Sequence, residues 1–302
     1  MLNAPNVQEW IVAIGWIYLF IVLIVTAVAW KLASRLPTKI IGAALVLGFF
    51  AYWPVSEILE KRREAADFKA RYDTARARFD ERCKTAGEKI TRTVDNVEGI
   101  LLMKLRTYEE VGTGESPTSP GAAFITDSKG DAYLSSFLWF EGMRDDQVSG
   151  SRGRLEDKET KWPGFRYVEY VDPNDNKRYR YILLQKPDPY PPYNVRTVLV
   201  RNPSPDPAPR FGVTFDDFTD PEDRKHWVAG SAVKVIDLQS NEIIGQHIRY
   251  AFDPGLGSRA GARTPWLFAE YCPALSSLAR SSGSGYLTRY FVDQVLKPKK
   301  GD

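Results

Sequence analysis

The sequence predicts an α+β protein that consists of an N-terminal transmembrane helical hairpin, a long stalk helix and a mainly antiparallel β soluble domain. Three observations predict this architecture. Two apolar stretches follow each other near the start of the chain, and an amphipathic helical pattern comes after them. The remaining residues form short alternating runs that are bounded by Pro, Gly and Asn. We therefore divide the chain into an anchor (1–60), an amphipathic stalk helix (61–96) and a mixed, mostly β soluble domain (97–302).

The anchor contains two apolar stretches, at about residues 10–30 and 40–59. A helix needs about 20 apolar residues to cross the hydrocarbon core, and it satisfies its own backbone hydrogen bonds in lipid. A signal peptide is the alternative for the first stretch, because Ala27-Val28-Ala29 resembles a cleavage site. We favour an uncleaved helix, because no Lys or Arg precedes the stretch and a second apolar stretch follows it directly.

Basic residues flank both predicted spans and are interpreted as membrane-interface anchors. They are Lys31, Arg35, Lys39, Lys61, Arg62 and Arg63. The three that follow the second span are alternatively a site for anionic lipid. The basic connection between the spans favours a cytoplasmic loop with the soluble domain outside, whereas the basic residues after the second span favour the opposite topology.

The chain has two cysteines, Cys83 and Cys272. An even number of widely separated cysteines is typical of a disulfide in an oxidising compartment. The alternative is a pair of buried thiols, since free cysteine is among the most buried residue types. We favour the disulfide, and this choice tips the topology towards an extracytoplasmic, periplasmic domain.

The stalk is predicted from apolar residues that recur at intervals of three and four, which places them on one face of a helix. They are Phe68, Tyr72, Ala75, Phe79, Cys83, Ala86 and Ile90. The predicted helix runs from about Pro54 to about Thr91. Its apolar stripe could pack on the soluble domain of the same chain or on the stalk of a second copy.

The soluble domain is predicted to contain an antiparallel sheet of at least six strands and a closing amphipathic helix at 285–296. A short apolar run at 100–105 predicts a buried strand. Alternating runs separated by turn residues predict two hairpins, with single strands between them. The runs are 166–171 with 178–184, 232–238 with 242–252, and the strands 195–201 and 211–215.

The search for chemistry gives no catalytic, cofactor or metal motif. His226 and His247 have no second ligand at metal-binding spacing. The acidic residues before His226 favour a helix start, with Thr219 or Asp220 as the cap and Pro221 in the first turn, over a calcium site. The net charge of +3 gives no reason to expect nucleic acid as a partner.

Two segments, DPEDRKHWVAGS and FDPGLGSRAGARTPWLFAEYCP, combine Trp, Arg and Gly in predicted loops. Loops on a rigid sheet often bind partners. The alternative is that they are structured loops with a packing role only. The candidate binding residues are Asp223, His226, Trp227, Arg259, Arg263 and Trp266.

Three segments, RCKTAGEKITRTVDNVEGILL, DPEDRKHWVAGSAVKVIDLQSNEIIG and GLGSRAGARTPWLFAEYCP, resemble bacterial, mainly proteobacterial, membrane proteins with N-terminal transmembrane segments. The resemblance covers about a quarter of the chain. It implies an inner-membrane location and no particular function, so no functional residue can be transferred.

Together these observations predict a membrane-anchored, non-enzymatic binding or assembly protein. Its expected partners are the lipid bilayer and a protein or envelope component, and it could form oligomers through the spans or the stalk. No cofactor is expected. The alternatives are a cytoplasm-facing membrane effector or exclusion protein and an envelope-acting enzyme.

Overall fold

The computed structural model describes residues 7–108, 114–138, 164–187, 195–274 and 286–299. The chain separates into two compact units, Met1–Arg71 and Tyr72–Asp302. Residue 285, the predicted first residue of the closing helix, lies outside the described residues.

The first unit is a pair of long apolar helices. Helix α1 spans Val7–Leu32 and helix α2 spans Leu36–Cys83, so that α2 continues into the second unit. Both helices are long and apolar enough to cross a membrane, judged by length and composition. The Tyr18 hydroxyl donates a hydrogen bond to the Phe50 carbonyl oxygen, and the two rings meet edge to face with 6.0 Å between centroids. The predicted helix pair is therefore confirmed.

The second unit is built on a mixed, mostly antiparallel sheet, as predicted. One sheet contains nine strands, β1 and β3–β10. Its strand order is β1-β9-β8-β7-β3-β4-β5-β6, and β10 pairs with β9. A separate parallel pair is formed by β2 and β11. The strands are β1 Gly87–Ile90, β2 Val94–Val97, β3 Gly99–Leu102, β4 Tyr167–Asp172, β5 Lys177–Pro187, β6 Val195–Pro203, β7 Phe211–Phe218, β8 Val228–Asp237, β9 Glu242–Phe252, β10 Glu270–Cys272 and β11 Leu296–Pro298.

The described part of the unit also contains three short α-helices, α3 at Asp131–Ser136, α4 at Pro221–Lys225 and α5 at Leu287–Val295. Helix α5 is the predicted closing helix, and its buried face includes Phe291 and Val295. Both predicted hairpins form as antiparallel pairs, β4 with β5 and β8 with β9. Residues with positive φ, Asn176 and Asn241, reverse the chain between the paired strands.

Strand β3 lies in the middle of the sheet and runs parallel to both of its neighbours, β4 and β7. Its side chains Ile100 and Leu102 are completely buried. A strand covered on both faces is expected to be a continuous apolar run rather than an alternating one. The prediction of a buried strand from residues 100–105 is thus confirmed over its first half.

The β8–β9 hairpin is covered on both faces. On one face, Ala75 and Phe79 from the end of α2 pack with Val228 and Phe252. The Phe79 and Phe252 rings stack with 5.5 Å between centroids. The apolar stripe of the predicted stalk therefore packs on its own domain from residue 72 onwards. The opposite face is covered by the 3₁₀ turn Ala122–Phe124 and by helix α5.

The predicted stalk helix was too long at its C-terminal end. Helix α2 ends at Cys83, and the chain then turns into β1, which pairs antiparallel with β9. Gly87 has a φ of 130°, a conformation that glycine adopts without the steric cost of a side chain. The spacing of Ala86 and Ile90 fitted a helix, but pairing with the open edge of β9 outweighs this local preference.

Candidate functional site

The acidic segment before His226 caps helix α4. The Asp220 side chain accepts a hydrogen bond of 2.9 Å from the Glu222 backbone N–H, and Pro221 occupies the first helical position. This backbone hydrogen bond is the largest cause of the lowered pKa of Asp220. The capping role predicted for Asp220 is confirmed. Among the described residues, no group of three or more His, Cys, Asp or Glu side chains could hold a metal ion.

Asp223 connects helix α4 to the end of helix α2. Its carboxylate is buried and forms ion pairs with Arg78 and with Arg82, whose Nε lies 2.8 Å from Oδ2. Arg82 also donates to Asp220 at 2.7 Å. The hydrogen bond that Arg82 donates to Asp223 raises the pKa of Arg82. Asp223 is therefore occupied in holding α2 against the domain.

A cleft of about 410 Å³ lies beside this ion-pair network. It is lined by Thr74, Arg78, Glu81, Arg82 and His226. His226, half-buried at the end of α4, is thus the member of the predicted set that lines this cleft.

The two predicted binding loops meet through their tryptophans. The Trp227 and Trp266 rings lie 5.4 Å apart between centroids. Trp266 is completely buried, and its Nε1 donates a 2.7 Å hydrogen bond to the Ser116 carbonyl oxygen. Trp227 has a φ of 55° and packs against Gly257, where no side chain would fit. The first of the two segments was predicted to be a loop, but it forms α4 and the start of β8. The tryptophan pair packs the two segments together.

The loop after β9 is organised by Asp253, a residue that the sequence did not single out. Its buried carboxylate accepts hydrogen bonds from the backbone N–H groups of Gly255 at 3.0 Å and Gly257 at 2.7 Å. It also binds the Arg263 guanidinium. Arg263 is therefore held inside the loop.

The exposed part of the same loop has a distinct composition. Arg259 is 62% exposed and pairs with Glu115 at 3.2 Å. Leu267 and Phe268 are 53% and 62% exposed. We call Arg259, Leu267 and Phe268 the loop patch. Of the six predicted binding residues, Arg259 belongs to this patch and His226 lines the cleft. The other four, Asp223, Trp227, Arg263 and Trp266, are held in internal contacts.

A second cluster lies inside the domain, and sequence reasoning missed it. Arg106 and Arg249 are 1% and 2% exposed. The Phe124 ring lies between them, with its centroid 4.9 Å from Cζ of Arg106 and 5.6 Å from Cζ of Arg249. Arg106 donates to the Ser231 hydroxyl at 3.2 Å and to the Asp217 carboxylate at 3.4 Å. We call Arg106, Arg249 and Phe124 the interior arginine cluster.

The alternation of side chains along β9 could have identified Arg249 as a residue that points into the domain. In β9, His247, Arg249 and Ala251 occupy alternate positions and therefore share one face. Ala251 is completely buried, and Arg249 lies opposite Ser231 in the β8–β9 register. A charged residue on the inward face of a strand is unusual, and this is the observation that could have identified it.

His247 is expected to make the protein less stable in acid. Burial, followed by the neighbouring charge of Arg249, lowers the pKa of His247 to about 4. An unfolded histidine takes up a proton at a pKa near 6.5. The stability of the folded state should therefore fall as the pH drops from about 6.5 towards 4, by on the order of 3 kcal/mol.

Urea unfolding of the full-length chain and of His247→Phe between pH 4 and 7 measures this effect. Phenylalanine suits the site because His247 meets the rings of Phe124 and Phe291 edge to face. As the pH falls, the free energy of unfolding of wild type should decrease more than that of His247→Phe. A constant difference over this range would contradict the assignment.

Comparisons of this chain with protein-family models, with curated proteins and with solved structures found no match. The functional assignment therefore rests on the residues and their geometry.

Proposed function

We propose that the chain is a membrane-anchored, non-enzymatic binding or assembly protein of the bacterial inner membrane, with its 72–302 unit on the extracytoplasmic side. The two apolar helices, α1 and α2, support the anchor. The basic residues at and between the adjoining ends of these helices support a cytoplasmic connection. Lys31 and Arg35 are exposed, and Lys39 lies 5.8 Å from the centre of the Trp30 ring.

The observation that carries the proposal is the disulfide between Cys83 and Cys272. Their Cα atoms lie 5.7 Å apart, although the two residues are separated by 189 positions in the sequence. This Cα distance lies at the centre of the range that a disulfide requires. Disulfides persist in the periplasm and are rare in the cytosol, where thiols are kept reduced. The bridge therefore favours an extracytoplasmic domain over a cytoplasm-facing effector.

The loop patch supports a binding role. Arginine and aromatic side chains are enriched in protein interfaces, and exposed apolar side chains gain free energy when a partner covers them. Arg259, Leu267 and Phe268 present both kinds of group on one loop. A protein or envelope component is the partner that this composition favours.

Reporter fusions test the side of the membrane. We expect alkaline phosphatase fused after Arg63 or at the C terminus to be active, and a fluorescent protein at the same positions to be dark. The reverse result would reject the extracytoplasmic domain and favour a cytoplasm-facing effector or exclusion protein.

The redox state of the cysteines gives an independent measurement in the same cells. After denaturation in a maleimide-polyethylene glycol reagent, wild-type protein should show no mobility shift without reductant and a double shift with it. Cys83→Ser should show a single shift under both conditions. A double shift of unreduced wild-type protein would remove the main support for the proposal.

A further inference from the structure

Arg249 is a buried charged side chain without hydrogen-bond acceptors among the described residues. It is 2% exposed, and its Nε, Nη1 and Nη2 atoms have no hydrogen-bond acceptor within the described part of the chain. Burial lowers its pKa to about 10, so the guanidinium remains charged at neutral pH. A buried charge without hydrogen-bond partners costs folding free energy, which indicates a role other than stabilisation.

Another buried arginine of the same domain, Arg224, has an acceptor for each of its guanidinium nitrogens. Arg224, which is 5% exposed, donates to the backbone carbonyl oxygens of Phe218 at 2.7 Å, Ser119 at 2.8 Å and Pro120 at 3.1 Å. The hydrogen bonds of Arg224 thus give it a structural role. The contrast shows that the environment of Arg249 is a local property of its site.

The groups around Arg249 indicate the chemistry of a ligand. Its guanidinium lies 4.0 Å from the centre of the Tyr271 ring, with Phe124 at 5.6 Å. Beyond Phe124, the guanidinium of Arg106 is already bonded to Asp217 and Ser231. In the part of the chain that the structure describes, all three guanidinium nitrogens of Arg249 lack an acceptor, whereas in Arg106 only Nε does, and aromatic rings lie beside the Arg249 guanidinium.

Asp127, whose carboxylate charge acts on Arg249, forms its hydrogen bonds with other residues. Asp127 accepts hydrogen bonds from the backbone N–H and the hydroxyl of Thr288. Burial is the largest influence on Asp127 and raises its pKa. Asp127 therefore does not neutralise Arg249 by direct contact.

We propose that the interior arginine cluster is a binding site for a small organic carboxylate, with the Arg249 guanidinium as the group that binds the carboxylate. The planar guanidinium fork matches the two oxygens of a carboxylate. Tyr271 and Phe124 would contact the apolar body of the ligand. This inference deepens the proposed binding function, because it names a ligand class for the extracytoplasmic unit.

The first test compares two buried arginines. Methionine fills a similar volume without charge, so Arg249→Met should leave the midpoint of thermal unfolding of the full-length protein in detergent unchanged or raised by roughly 2–4 °C. Arg224→Met should lower the midpoint, because it removes donors from three carbonyl oxygens. A fall for Arg249→Met comparable to that of Arg224→Met would assign Arg249 a structural role and overturn the proposal.

The second test measures binding directly. Sodium acetate, sodium succinate and sodium benzoate are titrated into wild type and Arg249→Met, with sodium chloride at equal ionic strength and sodium phosphate as comparisons. At least one carboxylate should raise the wild-type midpoint in a saturable manner and leave that of Arg249→Met unchanged. A response to none of the three carboxylates, or to phosphate alone, would overturn the proposal.

The two proposals fail separately. Binding is measured in detergent and does not depend on the side of the membrane, whereas the reporter fusions do not depend on a ligand. A negative titration with an active phosphatase fusion would reject the carboxylate site and leave the membrane topology intact.

Discussion

Replacing Cys83 with serine is expected to lower the free energy of unfolding of the 72–302 unit by about 4 to 5 kcal/mol. The bridge joins residues that are 189 positions apart, so its removal restores a large amount of conformational entropy to the unfolded chain. It also connects the end of helix α2 to strand β10, which lies at the edge of the sheet beside β9. Urea unfolding of the full-length protein in detergent measures the loss.

Reduced wild-type protein is the control, because a reductant breaks the bridge without changing the amino acid. Cys272→Ser, Cys83→Ser and reduced wild type should therefore unfold at nearly the same urea concentration, well below oxidised wild type. If oxidised and reduced wild type unfold together, the bridge either does not form or does not stabilise the domain.

The sheet could be predicted in considerable detail because its strands alternate clearly. In β8, alternation puts Val233, Val235 and Asp237 on one face, and all three are buried. Asp237 is accommodated there by Arg210 and Arg92, whose guanidinium groups donate to it at 2.7 and 2.6 Å. These hydrogen bonds lower the pKa of Asp237. Alternation predicts the face of a residue, whereas its ionic partners come from distant parts of the chain.

The end of helix α2 shows why local patterns have limits. Residues 87–90 continue the apolar spacing of a helix, yet they form β1 at the edge of β9. The deciding contact joins segments more than 150 residues apart, as in the pairing of Glu88 with His247. Such a contact cannot be inferred from helical periodicity.

The candidate site was predicted less well than the fold. Trp, Arg and Gly in a loop are used both for binding and for internal packing. Trp266 is completely buried and Arg263 is bound to Asp253, so both serve the loop itself. Arg259 remains exposed in the same loop as the exposed apolar residues Leu267 and Phe268, which the sequence did not mark. The sequence thus singled out this loop and could not separate its outer residues from its inner ones.

Replacing Asp253 with alanine is expected to have the second large effect on stability. The Asp253 carboxylate is completely buried and binds Arg263 and the backbone N–H groups of Gly255 and Gly257. Its loss leaves a half-buried guanidinium and two backbone donors without this acceptor. Removing one partner of a buried ion pair costs about 3 to 5 kcal/mol. Asp253→Ala should therefore unfold at a clearly lower urea concentration than wild type.

Two further variants separate the causes of this loss and its consequence for the loop patch. Asp253→Asn keeps an oxygen for the glycine N–H groups and removes the charge that binds Arg263, so it should lose less stability than Asp253→Ala. Asp206→Ala removes a 93% exposed carboxylate that pairs with Arg178, and should cost less than about 1 kcal/mol. Trypsin should cleave after Arg259 and Arg263 faster in Asp253→Ala than in wild type, because the loop that presents Leu267 and Phe268 loses its internal support. Equal stability and equal cleavage of Asp253→Ala and wild type would show that the loop is held by the tryptophan pair alone.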